Sequence, residues 1–405
     1  MEKFVAKTIC ILGRQPALGL AELESLYGAE HVRPLAGHAQ LDIPAKDIDF
    51  RRLGGTIKVT RLLSVLPDNT WEAVFKYLTD KIPEHLRHVP DGKFTLGLSL
   101  YGRDLSVQKL NADMLGIKKA IKQKTGRAVR IVPNKTMQLN SAQVLHNSLT
   151  KKGGWELNLL ADVDKFYLAQ TLFVQDIEAY GGRDQARPAR DARVGMLPPK
   201  LAQIIVNLAA GPLMYEKSVD PARVRILDPF CGTGVILQEA LLMGYSALGT
   251  DLDERMAEYS KKNIRWLFDK YPGLSGQVDI EVADATSYQW PGFSTIASEV
   301  FLGRPLNSLP AEDKLRKIIT DADLITRKFL ANLQPQLQVG RAFCIAVPAW
   351  RKPNGQMIYL PLIDHLTDMG YNYLDLKKVR REDLIYFRED QVVARQLLRL
   401  KKTGK

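Results

Sequence analysis

The sequence predicts an α/β protein in two parts: an open, mostly parallel sheet in the C-terminal half, and a smaller, basic α+β region before it. Three observations lead there. In the second half, apolar runs and amphipathic helices alternate in the β-α-β order that a parallel sheet requires. A strand-turn-helix-strand unit with a glycine-rich turn occupies residues 224–251. Ahead of it, residues 103–152 hold eleven Lys or Arg against two acids, a net of +9.

The unit at 224–251 organises the rest. Residues 224–227 (VRIL) suit a strand buried on both faces, and Asp228 stands where that strand ends. The turn Pro229-Phe230-Cys231-Gly232-Thr233-Gly234 follows. Next come a helix with a broad apolar face, Gly244 placed to end it, and a second strand over 246–250. Asp251 closes that strand, about 20 residues beyond the glycines. Glycines let a backbone approach a ligand closely. An acid at the tip of the second strand can accept both hydroxyls of a ribose. The G-T-G lacks the third glycine of the dinucleotide fingerprint. Asp228 would repel a pyrophosphate, yet it suits the cationic amino-acid end of S-adenosylmethionine. Asp228, Phe230, Gly232, Thr233, Gly234 and Asp251 are therefore the candidate cofactor residues.

The alternation continues through a helix at 254–268 and a third strand at 277–282. Asp284 could then bind an adenine amine through its side chain, with the Ala285 backbone N–H completing the site. An Asp in that place also commonly caps a helix. A fourth strand at 293–298 leads into Ser298-Glu299-Val300-Phe301. Beyond it the pattern predicts a helix at 314–333, a strand at 341–347, a helix at 358–369, and a strand pair at 374–379 and 392–400.

Before the glycine unit, residues 94–100 alternate as a half-buried strand. The helix GIKKAIKQKTG leaves Lys118, Lys119, Lys122 and Lys124 largely to solvent. With Lys151 and Lys152 these read as a phosphate-binding surface, the alternative being a merely solvated face. A helix at 141–149 should turn Val144, Leu145 and Leu149 inward. The 405-residue chain carries a net charge of +12 and an isoelectric point near 9.4, which favours a polyanionic partner. Its three cysteines are far apart and form neither zinc spacing nor a disulfide framework, so a reducing cytoplasm is expected and no metal. There is no signal-peptide pattern and no apolar run of about 18 residues, so no membrane is expected.

Three segments, LGLSLYG (96–102), NSAQVLHNSL (140–149) and YLAQTLFVQDIEAYGGRD (167–184), resemble the THUMP domain, an RNA-binding module of tRNA-modifying enzymes. The run RPARDARVGMLPPKLAQIIVNLA (187–209) resembles the linker and first methyltransferase segment of the tRNA guanine-N2-methyltransferases that carry a THUMP. The resemblance implies a ferredoxin-like subdomain at 1–85, a THUMP-like domain at 86–182, a linker at 183–199, and a Rossmann-like class I methyltransferase domain at 200–405. It further implies S-adenosylmethionine as cofactor and tRNA as partner. Residues 195–200 would open a helix that caps the cofactor, with Lys200 beside it. Eukaryotic relatives use a small zinc-binding activator protein, which nothing in this sequence demands.

Such enzymes place D-P-P-Y or N-P-P-Y after the fourth strand. A side-chain acceptor and a backbone carbonyl orient the amine there, and the aromatic ring stacks on the base. Here both prolines are missing, and the aromatic is one position nearer the acid. Glu299 would then accept the amine N–H and Phe301 would stack on the base. Two other readings stand beside a tRNA guanine-N2-methyltransferase. One is a tRNA-binding pseudoenzyme with a decayed tetrapeptide; the other is a methyltransferase acting on another RNA.

Overall fold

A computed structural model describes residues 4–68, 70–191, 196–214 and 219–404. Two compact units emerge: residues 1–16, 30–50 and 56–179 form the first, and residues 17–29, 51–55 and 180–405 the second. In chain order the first elements are β1 (Thr8–Leu12), α1 (Pro16–Tyr27), β2 (Val32–Leu35), β3 (His38–Leu41), β4 (Thr56–Leu66), α2 (Trp71–Leu86), β5 (Phe94–Tyr101), α3 (Val107–Thr125), β6 (Val129–Ile131), α4 (Ser141–His146), β7 (Gly154–Ala161), β8 (Phe166–Val174) and α5 (Ile177–Gln185).

The first unit is built on one eight-stranded sheet in the order β2-β3-β1-β4-β8-β7-β5-β6. β5 runs parallel to β6 and β7, and the other pairs are antiparallel. Leu110, Met114, Ile117 and Ile121 recur at helical spacing and seat α3 on the sheet beside Val74, Leu78 and Ile82 of α2. Ser106 caps the start of α3 by accepting the Lys109 N–H, and Gly126 ends it at φ +70°. Two expectations change here. β5 is buried on both faces rather than half-buried, because Leu139, Val144 and Leu149 cover its second face. A Cβ at Gly97 would come within 2.5 Å of Leu139. Leu145 is 39% exposed instead of inward, since α4 stops at His146. The boundary expected at residues 85/86 meets no break in the sheet: β4 pairs with β8, and α2 shares its core with α3.

The second unit continues with α6 (Pro199–Met214), β9 (Arg225–Asp228), α7 (Val235–Leu242), β10 (Ser246–Asp251), α8 (Glu254–Lys270), β11 (Val278–Val282), β12 (Thr295–Glu299), α9 (Glu312–Leu333), β13 (Ala342–Arg351), β14 (Met357–Ile358), β15 (Tyr371–Tyr373), β16 (Ile385–Tyr386) and β17 (Val393–Lys402). The sheet order is β11-β10-β9-β12-β13-β17-β15. β9 to β13 are parallel, and β17 is inserted antiparallel between β13 and β15. The chain leaves β9 towards β11 on one side and returns to β12 on the other. That reversal places a topological switch point at the carboxyl ends of β9 and β12, the crevice where open α/β sheets bind ligands.

Two local expectations fail in this unit. Residues 358–369 form no α-helix; Pro361–His365 is a short 3-10 turn that buries Leu362, with Leu360 and Leu366 buried on either side. Residues 374–379 are not the strand beside β17, a place taken by β15. The N–H groups of Lys377 and Lys378 donate instead to the Glu24 carboxylate, so they need no ladder partner.

Helix α1 and residues 51–55 belong to this second unit despite their place in the sequence. Glu22 of α1 is fully buried and accepts the N–H groups of Gly54 and Gly55, each at 2.9 Å, and the Asn207 amide at 2.8 Å. A Cβ at Gly211 of α6 would lie 2.4 Å from the Ser25 carbonyl oxygen, so glycine permits the approach of these two helices. The described part of the expected linker is tied in as well. Arg183 bonds Glu239 at 2.8 Å, and the Ala189 backbone exchanges two bonds of 2.9 Å with Asn263. Gly195 lies outside the described residues.

Candidate active site

The site is assembled from the tips of β9, β10 and β12. Asp228 ends β9 and is buried; its Oδ1 accepts the Ser298 hydroxyl at 2.6 Å and the Phe230 N–H at 3.3 Å. Burial raises its carboxyl to about 7, against the pull of those bonds, and the nearby Asp251 and Glu299 charges add to the rise. Asp251 ends β10 and grips the glycine loop: Oδ2 accepts the Gly232 N–H at 2.8 Å and Oδ1 the Asp253 N–H at 2.9 Å. Burial raises this carboxyl too.

Gly234 caps α7 at φ +82°, a conformation costly for other residues, and a Cβ there would lie 2.6 Å from the Ser260 hydroxyl. Ser260 itself donates to the Gly232 carbonyl at 3.1 Å, and the Thr233 carbonyl accepts from Asn263 at 2.8 Å. The loop is thus fixed from behind by α8. On its open side, a Cβ at Gly232 would find nothing nearer than 4.0 Å. Phe230 turns inward and meets Phe329 edge-on, ring centroids 5.2 Å apart. Cys231 is buried and its thiol is pushed well up by burial, so it is a packing residue rather than a nucleophile.

Asp284 is exposed and its Oδ1 accepts both the N–H and the hydroxyl of Thr286 at 2.8 Å, which makes it the cap of a turn. Those bonds hold its carboxyl low. Ala285 is buried, with its carbonyl taken by Asn332. The Lys200 ammonium lies 4.9 Å over the Tyr180 ring, which Arg183, the partner of Glu239, also covers. Burial lowers its pKa, and the Arg183 charge adds to the effect.

Glu299 ends β12, but its carboxylate is engaged. It forms an ion pair with Arg395 of β17, whose side chain is only 7% exposed. Burial raises the Glu299 carboxyl, and the Arg395 charge and hydrogen bond oppose the rise. Val300 is buried in the core, whereas Phe301 is 40% exposed.

In the first unit, Lys118, Lys119 and Lys122 are exposed on α3, and no ion pair holds them among the described residues. Other members of the basic block have structural partners. Lys124 pairs with Asp80 at 2.8 Å and Lys109 with Asp113 at 3.1 Å. Arg127 donates to the carbonyls of Leu86, Val89 and Pro90. Lys151, Lys152, His88 and Trp155 line a shallow cleft of about 300 Å³ on the same unit.

No family model matches the chain. Over 200 residues it is 30% identical to the tRNA (guanine(10)-N2)-dimethyltransferase of Methanothermobacter thermautotrophicus, an alignment covering 46% of this chain and 48% of that protein. Over 125 residues it is 36% identical to the protein of that name from Pyrococcus abyssi, covering 30% of this chain and 33% of the other. The chain thus spans about half the length, or less, of the curated relatives it matches. Among solved structures it is similar to TrmN from Thermus thermophilus, with TM-score 0.52 and 17% identity over 98% of both chains. It is similar also to a possible methylase from Clostridium difficile 630, with TM-score 0.50 and 13% identity over 99% of both. At these identities the likeness establishes the fold alone, a Rossmann-like, mostly parallel α/β sheet preceded by an α+β region.

Three features of the site escaped the sequence reading. Arg395 is separated from Glu299 by 96 positions, and no local motif links them. Leu252 and Val282, 71% and 50% exposed, follow Asp251 and precede Asp284 as bare apolar side chains beside the loop. Their signal was available: Leu252 directly follows Asp251, and Val282 ends β11 two positions before Asp284.

Proposed function

We propose that this chain is an S-adenosylmethionine-dependent methyltransferase whose substrate is tRNA and whose methyl acceptor is the exocyclic N2 of a guanine. The observation that carries the reading is the arrangement at the crevice: a glycine loop open at Gly232, with Asp251 bonded across it and Asp228 beneath it. Asp251 keeps acceptor capacity for the ribose hydroxyls beyond its two backbone bonds. Asp228, buried beneath the loop, supplies negative charge for the amino-acid end when ionised. Leu252 and Val282 suit the faces of an adenine ring. The relatives named above support tRNA and guanine N2, and the exposed lysines of α3 in a region resembling a THUMP support an RNA partner.

When bound, the cofactor would supply a sulfonium methyl group that an amine lone pair can take as the C–S bond breaks, with a neutral thioether leaving and the amine proton passing to solvent. Glu299 accepts an N–H of that amine and turns its lone pair towards the methyl, and Phe301 stacks on the base. Single-turnover transfer from labelled cofactor to unmodified tRNA tests this. Wild type should transfer methyl to guanine N2, identified by nucleoside mass spectrometry, and Glu299→Ala should be slower by about 10²-fold. Phe301→Ala should weaken RNA engagement by about 1–3 kcal/mol.

One observation favours a second reading, a tRNA-binding pseudoenzyme: the Glu299 carboxylate is already held by Arg395, and the two prolines are absent. That reading requires wild type to transfer nothing to any tRNA.

A further inference from the structure

The last long strand of the sheet delivers one cation to the catalytic crevice. Arg395 lies on β17 opposite Pro348 of β13 and Tyr386 of β16, and its Nε donates to Glu299. On the acidic side, the Glu299 charge acts on Asp228 of β9, as does that of Asp251 of β10. β13 presents Ala346 beside Glu299, which carries no charge. Arg395 thus brings a cation to a group of three carboxylates. A carboxylate in that company and in a buried setting would tend to take up a proton, and a protonated carboxyl is a poorer acceptor for an amine N–H.

We propose that Arg395 is a positioning residue that holds Glu299 ionised and fixes its orientation, leaving the second carboxylate oxygen to accept the N–H of the substrate amine. This rests on the methyltransferase reading above. It also explains how a Glu can stand where related enzymes use Asp or Asn within a proline-stiffened turn. The ion pair supplies the rigidity that the prolines would have given. Burial lifts the Glu299 carboxyl, and the Arg395 charge and hydrogen bond oppose the rise.

The sign of the effect follows. Without the guanidinium, ionisation of Glu299 shifts to higher pH, so transfer falls at neutral pH and returns as the pH rises. The test is single-turnover transfer from labelled S-adenosylmethionine to unmodified tRNA between pH 6 and pH 9, with wild type, Arg395→Met and Arg395→Lys. In parallel, carbon-13 NMR follows the Glu299 carboxyl, assigned by its loss in Glu299→Gln. Arg395→Met should be at least tenfold slower than wild type at pH 7, with most of the loss regained at pH 9. Its Glu299 resonance should titrate at higher pH, while S-adenosylmethionine affinity by calorimetry is retained. Arg395→Lys should keep the wild-type acid limb. Asp228 titrates in the same range, which is why the residue-specific resonance is read beside the rate. Should Arg395→Met fail to fold, Arg395→Gln carries the same expectation. Loss by one factor at every pH, or an unmoved Glu299 titration, overturns the proposal and leaves the methyltransferase reading in place. A wild type inactive on every tRNA overturns the methyltransferase reading, and the positioning role with it.

Discussion

Replacing Asp251 should separate its two duties, holding the glycine loop and holding the cofactor. Its carboxylate accepts two backbone N–H groups, one per oxygen, from Gly232 and Asp253. Asp251→Ala removes both bonds and the acceptor proposed for the ribose hydroxyls. A hydrogen bond to a charged group contributes about 1.5–3 kcal/mol. Loss of the ribose contact should therefore weaken S-adenosylmethionine roughly 10- to 150-fold, at 1.4 kcal/mol per factor of ten. Asp251→Asn should be no milder. A neutral amide has one acceptor oxygen, so its NH₂ must face either the Gly232 or the Asp253 N–H. That conflict should cost about 1 kcal/mol of stability, or roughly 2–4 °C in melting temperature for a unit of this size. Calorimetry with S-adenosylmethionine and thermal melting of both variants supply the readings. Affinity within twofold of wild type in both variants would refute the ribose assignment, and an unchanged melt in Asp251→Asn would refute the account of the loop.

Other expectations follow from the same contacts. Because burial lifts Asp228 to about 7, it must lose a proton to oppose a cationic ligand. S-adenosylmethionine affinity should therefore decline as the pH drops below 7, approaching tenfold per unit, and a flat calorimetric profile from pH 5.5 to pH 7.5 would contradict it. Gly234→Ala must adopt φ near +82° against the Ser260 hydroxyl, so a loss of about 1–3 kcal/mol should appear in thermal melts. Reversing Lys118, Lys119 and Lys122 together should weaken tRNA binding and flatten its salt dependence, with cofactor affinity unchanged; an identical salt slope would mark α3 as a solvated face. Lys124 is better left alone, since its bond to Asp80 would confound the result.

Most of the second unit was legible because its elements are long, periodic and punctuated by glycines. β9, α7 and β10 fall within a residue or two of the pattern read from 224–251. The strand expected at 374–379 failed because apolar content cannot reveal that Glu24, some 350 positions earlier, satisfies that backbone. The helix expected at 358–369 failed because Leu360, Leu362 and Leu366 are buried by a short 3-10 turn that mimics a helical apolar face. At the site, Asp228, Gly232, Gly234 and Asp251 come together as their spacing implied. The contact of Lys200 with the Tyr180 ring could not be read from its segment, because the two meet only through the fold. The Arg395 pairing was invisible for a topological reason. Only the insertion of β17 beside β13 brings it to Glu299, and strand order is not written in local pattern.

The membership of α1 and residues 51–55 in the second unit has a consequence for dissecting the molecule. The chain passes between the two units five times, so no single cut frees the crevice-bearing part as a cassette. A fragment beginning at residue 180 would keep Asn207, a fully buried amide, while losing the Glu22 carboxylate that it donates to. It would also uncover the surface of α6 at Gly211 that α1 normally shields. Such a fragment should expose apolar surface, bind hydrophobic dyes and tend to aggregate, whereas a fusion that supplies residues 17–55 in trans or by permutation should restore a cooperative melt. During synthesis, α1 emerges long before the helix that it packs against. The second unit can therefore close only once β17 has followed α6, with α1 waiting through the synthesis of the first unit.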